Sequence, residues 1–150
     1  MGGDATGTED SVIRPPRAGD GDGIAALLTE LGYPASATDV LKRMAELDRH
    51  GNVVTFVAAL GDSPVGLATA YVIPVVHHDR PVAVLSALIV HETHRRRGVG
   101  RRLVEAAHVW AKERDAYRIT VSSGLARAGA HAFYESLEYE HTSRRYSRHL

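Results

Sequence analysis

Five arginines and two glycines lie between positions 95 and 102, in the segment His94-Arg-Arg-Arg-Gly-Val-Gly-Arg-Arg-Leu103. The segment follows an apolar run over 82–90, typical of a buried strand, and opens a pattern of apolar residues at helical spacing. Glycines let the backbone approach a ligand closely, while the first N–H groups of a helix lack intrahelical partners and attract negative charge. A strand, a glycine- and arginine-rich turn and a helix in this order predict a site for the pyrophosphate of a coenzyme.

The rest of the chain predicts the elements that must hold this turn in place. Apolar periodicity, turn residues and capping residues indicate four helices: one after 19–23 that ends before 32–34, one over 38–47, one ending near 114 and one over 127–137. Strands are expected at 11–14, 53–60, 65–72, 82–90, 118–122 and 139–146. Hairpins followed by a helical crossover predict an α/β (α+β) fold, with a mixed sheet and helices on both faces.

Length and composition favour a single domain without a strong overall electrostatic field. The 150 residues carry zero net charge and no cysteine, which argues against a polyanionic partner, a disulfide framework and a thiolate metal site. We expect a disordered tail over 1–10 and a single domain over 11–150. No apolar run is long enough to span a membrane and no signal-peptide core is present, so we expect a cytoplasmic protein that does not bind membranes.

Three motifs in order resemble the GNAT superfamily of N-acetyltransferases. Arg95-Arg-Arg-Gly-Val-Gly100 matches its acyl-CoA motif, Leu88-Ile89-Val90 its Leu-x-Val strand end, and the segment 130–137 its later helix, which carries Phe133-Tyr134. The resemblance runs from about 12 to 146. It implies a mostly antiparallel central sheet of six to seven strands, with helices on both faces.

The resemblance also implies direct transfer of an acetyl group from acetyl-CoA to a primary amine, without a metal. Tyr134 would protonate the departing thiolate, and the N–H of Val90 would stabilise the oxyanion. Small polyamines, amino acids, aminoglycosides and protein amines all remain open as acceptors, and a homodimer remains open as well. The expected coenzyme-binding residues are Leu88, Ile89, Val90, Arg95, Arg96, Arg97, Gly98, Val99, Gly100, Arg101 and Arg127.

Three positions depart from the family pattern. Glu138 stands where many members have a glycine, which predicts strain or a different helix exit. Arg127 replaces an asparagine that faces the coenzyme in many members. Ser86 occupies the place where several relatives have a catalytic glutamate, so we expect a water chain or a histidine to accept the proton of the amine.

Other functions account for the arginines less well. A nucleic-acid-binding module using Arg95–Arg102 would be expected to carry net positive charge and interleaved aromatic residues. A GNAT-like module that binds acyl-CoA without catalysis remains an alternative because of Ser86 and Glu138. His91-Glu-Thr-His94 differs from the zinc-protease pattern, since its histidines are three residues apart on a strand exit.

Overall fold

In residues 11–122 and 128–150, which the computed structural model describes, the chain forms five strands and four α-helices. In chain order they are β1 (Val12–Arg14), α1 (Gly21–Leu31), α2 (Ala37–Asp48), β2 (Val53–Leu60), β3 (Ser63–Ile73), β4 (Val82–Val90), α3 (Val99–Glu113), β5 (Arg118–Val121) and α4 (Ala128–Ser136). Short 3-10 turns precede α1 and follow β4. None of the helices in the described ranges is long and apolar enough to cross a membrane.

Two compact units divide the chain after Thr120. The first holds the helices α1 to α3 and nearly all of the sheet, and the second, Val121–Leu150, holds α4. The single domain over 11–150 therefore stays a prediction. The predicted tail over 1–10 and the expected ligand-binding Arg127 lie outside the described residues.

The strands form one sheet in the order β1-β2-β3-β4-β5. The β1–β2, β2–β3 and β3–β4 pairs are antiparallel, and β5 follows β4 in the chain through the α3 crossover. The mixed, mostly antiparallel sheet is confirmed. Within the described residues it has five strands, so the expected six to seven were too many.

The difference lies at 139–146, where we predicted a last strand and the structure has none. Only Tyr139 and Tyr146 are large apolar residues in this run, and Tyr146 is 88% exposed. Alternation stabilises a strand when one face is buried. A polar run with a single half-buried ring therefore has too little apolar surface to specify a register.

Helices cover both faces of the sheet in the first unit. On one face, α1 and α2 pack on a cluster of buried residues that includes the register-matched Val57, Leu67 and Ile89. On the other face lies α3, whose buried residues are Val99, Leu103, Val104, Ala107, Trp110 and Ala111. The helical spacing of apolar residues predicted after the arginine-rich turn is confirmed, and these side chains form one buried stripe.

A buried ion pair fixes the turn from β1 into α1. Arg14 donates to both carboxylate oxygens of Asp20, at 2.8 and 3.0 Å, and the two side chains are only 8% and 3% exposed. The N–H of Arg17 adds a third bond to Asp20. The hydrogen bond from Arg14 lowers the pKa of Asp20 although burial opposes it, so the carboxylate is charged.

We predict that Asp20→Asn lowers the free energy of unfolding by about 3–5 kcal/mol, because it leaves Arg14 buried without a counter-charge. Thermal and urea unfolding at pH 7 would measure the loss. The control is Glu46→Gln, since Glu46 forms only exposed pairs with Arg49 and His50. Equal effects of the two substitutions would contradict this account.

The lowered pKa of Asp20 also predicts how stability depends on pH. The contribution of the pair is fully present above the unfolded-state pKa of about 3.9 and is lost as pH falls through the folded-state pKa. Wild type should therefore lose more stability on acidification than Asp20→Asn does.

Candidate active site

The loop between β4 and α3 adopts left-handed backbone conformations at two positions. Arg96 has φ 64° and Gly98 has φ 80°. Glycine adopts this conformation without steric cost, whereas an L-residue such as Arg96 pays about 1–2 kcal/mol. The side chains of Arg95, Arg96 and Arg97 are exposed along this loop. The chain thus bends sharply just before α3 and presents its cations to solvent.

The first turn of α3 carries unneutralised positive charge. Its first intrahelical bond runs from the N–H of Arg102 to Gly98 O (3.1 Å), so the N–H groups of Val99, Gly100 and Arg101 have no acceptor within the helix. Among the described residues no side chain caps this end, and the first turn holds no acidic residue. Amide donors, the helix dipole and nearby arginines together favour a bound anion.

The five arginines divide into two groups. Arg96, Arg97 and Arg101 are exposed, and within the described part of the chain they form no salt bridge. Arg102 donates to the hydroxyl of Ser11 (3.0 Å), and Arg95 forms an ion pair with Glu30 (2.7 Å). The first group is therefore available to a ligand, while the second binds the protein itself.

The end of β4 directs backbone groups away from β3. The N–H of His91 donates to Val65 O (2.8 Å), which makes residues 65 and 91 a hydrogen-bonded pair. Such pairs alternate with non-hydrogen-bonded ones along an antiparallel ladder, so Val90 (opposite Gly66) and Leu88 (opposite Ala68) belong to the second kind. Their N–H and C=O groups point toward the β5 side of the strand.

The three predicted strand-end residues thus differ in their surroundings. Leu88 and Val90 are half-buried, whereas the side chain of Ile89 is 4% exposed and packs in the α1/α2 core. The carbonyl of Val90 accepts a bond from Arg95 Nε (3.0 Å). Ile89 therefore anchors the strand, and its neighbours present the backbone.

Ser86 lies at an irregularity in β4. Thr69 pairs with Ala87 and Ala70 with Leu85, so Ser86 is an extra residue without a partner on β3, as in a β-bulge. Its hydroxyl is exposed and donates to Thr69 O (3.0 Å). A serine hydroxyl is far less basic than a carboxylate, so this position supplies no strong general base.

Two histidines occupy the turn after β4. The N–H of Thr93 donates to His91 Nδ1 (3.2 Å), and the hydroxyl of Thr93 lies 2.9 Å from His94 Nδ1. Partial burial, then the charges of Arg97 and His91, lower the pKa of His94, which keeps it neutral near pH 7. Among the described residues no group of three or more acidic, cysteine or histidine side chains could hold a metal ion.

The second unit contains the predicted catalytic tyrosine, Tyr134, near the end of α4. Its ring lies 5.6 Å from that of Tyr139, whose N–H donates to Tyr134 O (3.0 Å). Burial, and secondarily the proximity of Tyr134, raises the pKa of Tyr139 to about 12. Glu138 has φ 67°, so the predicted strain at this helix exit is confirmed.

Two features that position the site were missed by sequence reasoning. Glu30 pairs with Arg95 from a distant helix, and no motif connects the two residues. Gly66 lies under the start of α3, where an added Cβ would come within 2.9 Å of Leu103 Cδ1 and 3.2 Å of Val99 Cγ1. A glycine inside a predicted strand was the available signal for such a close approach.

Comparison with known proteins identifies the same family as the motifs. Residues 23–139 match the family model described as the acetyltransferase (GNAT) family. A comparison with curated proteins gives no match.

Several solved structures share the fold. A transcriptional regulator from Bacillus halodurans C-125 aligns with a TM-score of 0.86 and 22% identity, over 93% of this chain and 99% of that one. A GNAT family acetyltransferase from Staphylococcus aureus subsp. aureus USA300_TCH1516 aligns with a TM-score of 0.79 and 20% identity, over 94% of this chain and 99% of that one. The aminoglycoside N-acetyltransferase AAC(6′)-Iy in complex with CoA aligns with a TM-score of 0.81 and 20% identity, over 93% of this chain and 94% of that one. At these identities the likeness shows the fold alone.

The contact at Gly66 generates a test of how the start of α3 is positioned. We predict that Gly66→Ala lowers the free energy of unfolding by about 1–3 kcal/mol, since Leu103 is fully buried and cannot move without disturbing the core. Thermal unfolding measures this change. Gly51→Ala is the control, because an added Cβ there meets nothing within 4 Å.

A second variant tests whether crowding is the cause. Leu103→Val shortens the contacting side chain, so the double variant Gly66→Ala/Leu103→Val should be more stable than the sum of the two single effects implies. Strict additivity would show that the added methyl acts elsewhere.

Proposed function

Because the chain belongs to the GNAT family of acetyltransferases, we propose that it transfers an acetyl group from acetyl-CoA directly to a primary amine. The observation that carries this proposal is the uncapped, acid-free start of α3, with exposed arginines on the loop that leads into it. Such a helix end favours an anion, and in an acetyltransferase the candidate anion is the diphosphate of acetyl-CoA. No covalent enzyme intermediate is needed.

The phosphates of the coenzyme would lie at the turn between β4 and α3. Gly98 has no side chain to obstruct them. The N–H groups of Val99, Gly100 and Arg101 have no acceptor within the helix and can donate to the phosphates. The guanidinium groups of Arg96 and Arg97, together with that of Arg101, add charge-assisted hydrogen bonds. Arg127, predicted to face the coenzyme, lies outside the described residues and remains a proposal from sequence.

The pantetheine arm would follow the end of β4. Its amides can pair with the backbone groups of Leu88 and Val90 that point away from β3, in the manner of an added strand. The thioester carbonyl then accepts the N–H of Val90, which stabilises the negative charge that develops on that oxygen. The side chain of Ile89 contributes only to the core.

The acceptor must reach the thioester as a neutral amine. With Ser86 in place of an acid, a water chain or a histidine takes the proton of the ammonium group. The amine nitrogen bonds to the acyl carbon, the carbon–sulfur bond breaks, and the thiolate leaves with the bonding pair. Tyr134 donates its phenolic proton to that thiolate, because a phenol pKa of about 10 lies near the thiol value of about 8.5. The nitrogen of the new amide loses its second proton to solvent, and a solvent proton restores the phenol of Tyr134.

The acceptor class is a primary amine of unassigned structure. Aminoglycosides belong in the first screen because one structural neighbour is an aminoglycoside N-acetyltransferase, and polyamines, amino acids and peptides with free amines complete it. Release of free CoA measures turnover with each amine. Binding of acetyl-CoA without turnover on any amine would favour a silent coenzyme-binding module.

Calorimetry tests the coenzyme site directly. We expect wild type to bind both CoA and acetyl-CoA, and Arg97→Gln to bind CoA about tenfold more weakly at low salt, since one charge-assisted hydrogen bond contributes about 1.5 kcal/mol. Added salt should reduce the difference in CoA affinity between wild type and Arg97→Gln. Arg43→Gln, which removes an exposed arginine of α2, is the matched control. No heat with either ligand would refute the site.

Tyr134→Phe tests the proposed acid. We expect kcat at saturating acetyl-CoA to fall about 10²-fold, the lower end of what general acid catalysis contributes, with little change in acetyl-CoA affinity. Tyr146→Phe is the control, because Tyr146 is a largely exposed ring of the same unit. An unchanged kcat would remove Tyr134 from the mechanism.

A further inference from the structure

Glu30 lies in the last turn of α1, where the helix dipole disfavours a carboxylate. Its side chain is only 24% exposed, and Oε2 is 2.7 Å from an Arg95 terminal nitrogen. Oε1 is 3.9 Å from His91 Nε2. An acidic group in this unfavourable position is held by the loop that follows β4, so α1 and that loop are electrostatically connected.

Arg95 extends the connection to the backbone of β4. While its terminal nitrogen contacts Glu30, its Nε donates to Val90 O at 3.0 Å. The planar guanidinium fixes the directions of both bonds at once. Glu30, Arg95 and Val90 therefore form a continuous path from the end of α1 to the last residue of the strand.

The tautomer of His91 reinforces this arrangement. Its Nδ1 accepts the N–H of Thr93, so neutral His91 carries its proton on Nε2, the nitrogen that faces Glu30. Both groups of the β4–α3 loop that approach Glu30 thus present protons to it. The carboxylate accepts one hydrogen bond, from Arg95, and the protonated nitrogen of His91 lies 3.9 Å from its other oxygen.

We propose that Glu30 is a positioning residue of the coenzyme site: through Arg95 it fixes the end of β4, where the pantetheine arm and the thioester bind. The inference rests on the proposed function and adds a residue from a helix remote in sequence. Arg95 then acts on the strand rather than on the phosphates, which are left to Arg96, Arg97 and Arg101.

Three ligands separate this role from phosphate binding. In this proposal acetyl-CoA contacts both the helix start and the strand end, whereas 3′,5′-ADP has only the 3′-phosphate and the first phosphate of the diphosphate and lacks the arm. We expect Glu30→Ala to weaken acetyl-CoA binding about fivefold, the effect of one lost hydrogen bond, and to leave 3′,5′-ADP unchanged. CoA has the arm without the thioester, so Glu30→Ala should weaken its binding by an intermediate factor. Calorimetry at constant ionic strength measures all three affinities.

Two further variants sharpen the test. Arg95→Lys keeps the charge beside Glu30 but loses the rigid fork that also reaches Val90, so it should reproduce the selective loss. Arg96→Gln should weaken the binding of acetyl-CoA and of 3′,5′-ADP to the same extent. Glu46→Ala is the matched control, because Glu46 also pairs near a helix end, on α2 and away from the loop.

The outcomes distinguish this inference from the function on which it rests. If wild type binds acetyl-CoA but Glu30→Ala and Arg95→Lys bind it normally, or lose both ligands equally, the positioning role is wrong and the transferase proposal stands. If wild type binds none of the three ligands, the proposed function fails and this inference fails with it.

Discussion

Close packing of α3 on β3 determines where the arginine-rich loop can lie. At Gly66 the missing side chain lets Leu103 and Val99 approach the strand, and Val99 is the first residue of the helix. The loop must then span from the end of β4 to a helix start lying directly over the neighbouring strand. This short path accounts for the left-handed bend at Gly98 and for the strained backbone of Arg96. The position of the cations follows from a contact in the core.

The arginines of this loop differ in their pairing according to their distance from β4. Arg95, which follows the 3-10 turn, is neutralised by Glu30 and bonded to Val90. Arg96, Arg97 and Arg101 lie nearer the helix start, where the described residues include no carboxylate paired with them. Cations at the positive end of a helix raise the free energy of the unliganded protein. A bound anion would relieve that repulsion, so the proposed coenzyme would offset this electrostatic cost on binding.

Local patterns explain which parts could be predicted from sequence. The β4 strand, the loop and the inner face of α3 are encoded by neighbouring residues, and all three agree with the structure. Strain at Glu138 was equally local, since a left-handed helix exit depends on one residue. The predicted strand at 139–146 was wrong because this polar run has too few apolar residues to bury one face of a strand. The Glu30–Arg95 pair joins residues 65 positions apart, and only the packing of α1 on the sheet brings them together.

The chemistry proposed for β4 depends on backbone groups, which the side-chain sequence does not reveal. Ile89 is conspicuous in the sequence, yet its side chain serves the core, whereas the hydrogen-bonding groups of Leu88 and Val90 are set by register. The extra residue at Ser86 shifts that register within the same strand. Substituting an apolar side chain here therefore changes packing first and alters the donors only by moving the strand. Because every residue type carries the same amide, the sequence can predict such a strand but cannot identify which amide faces a ligand.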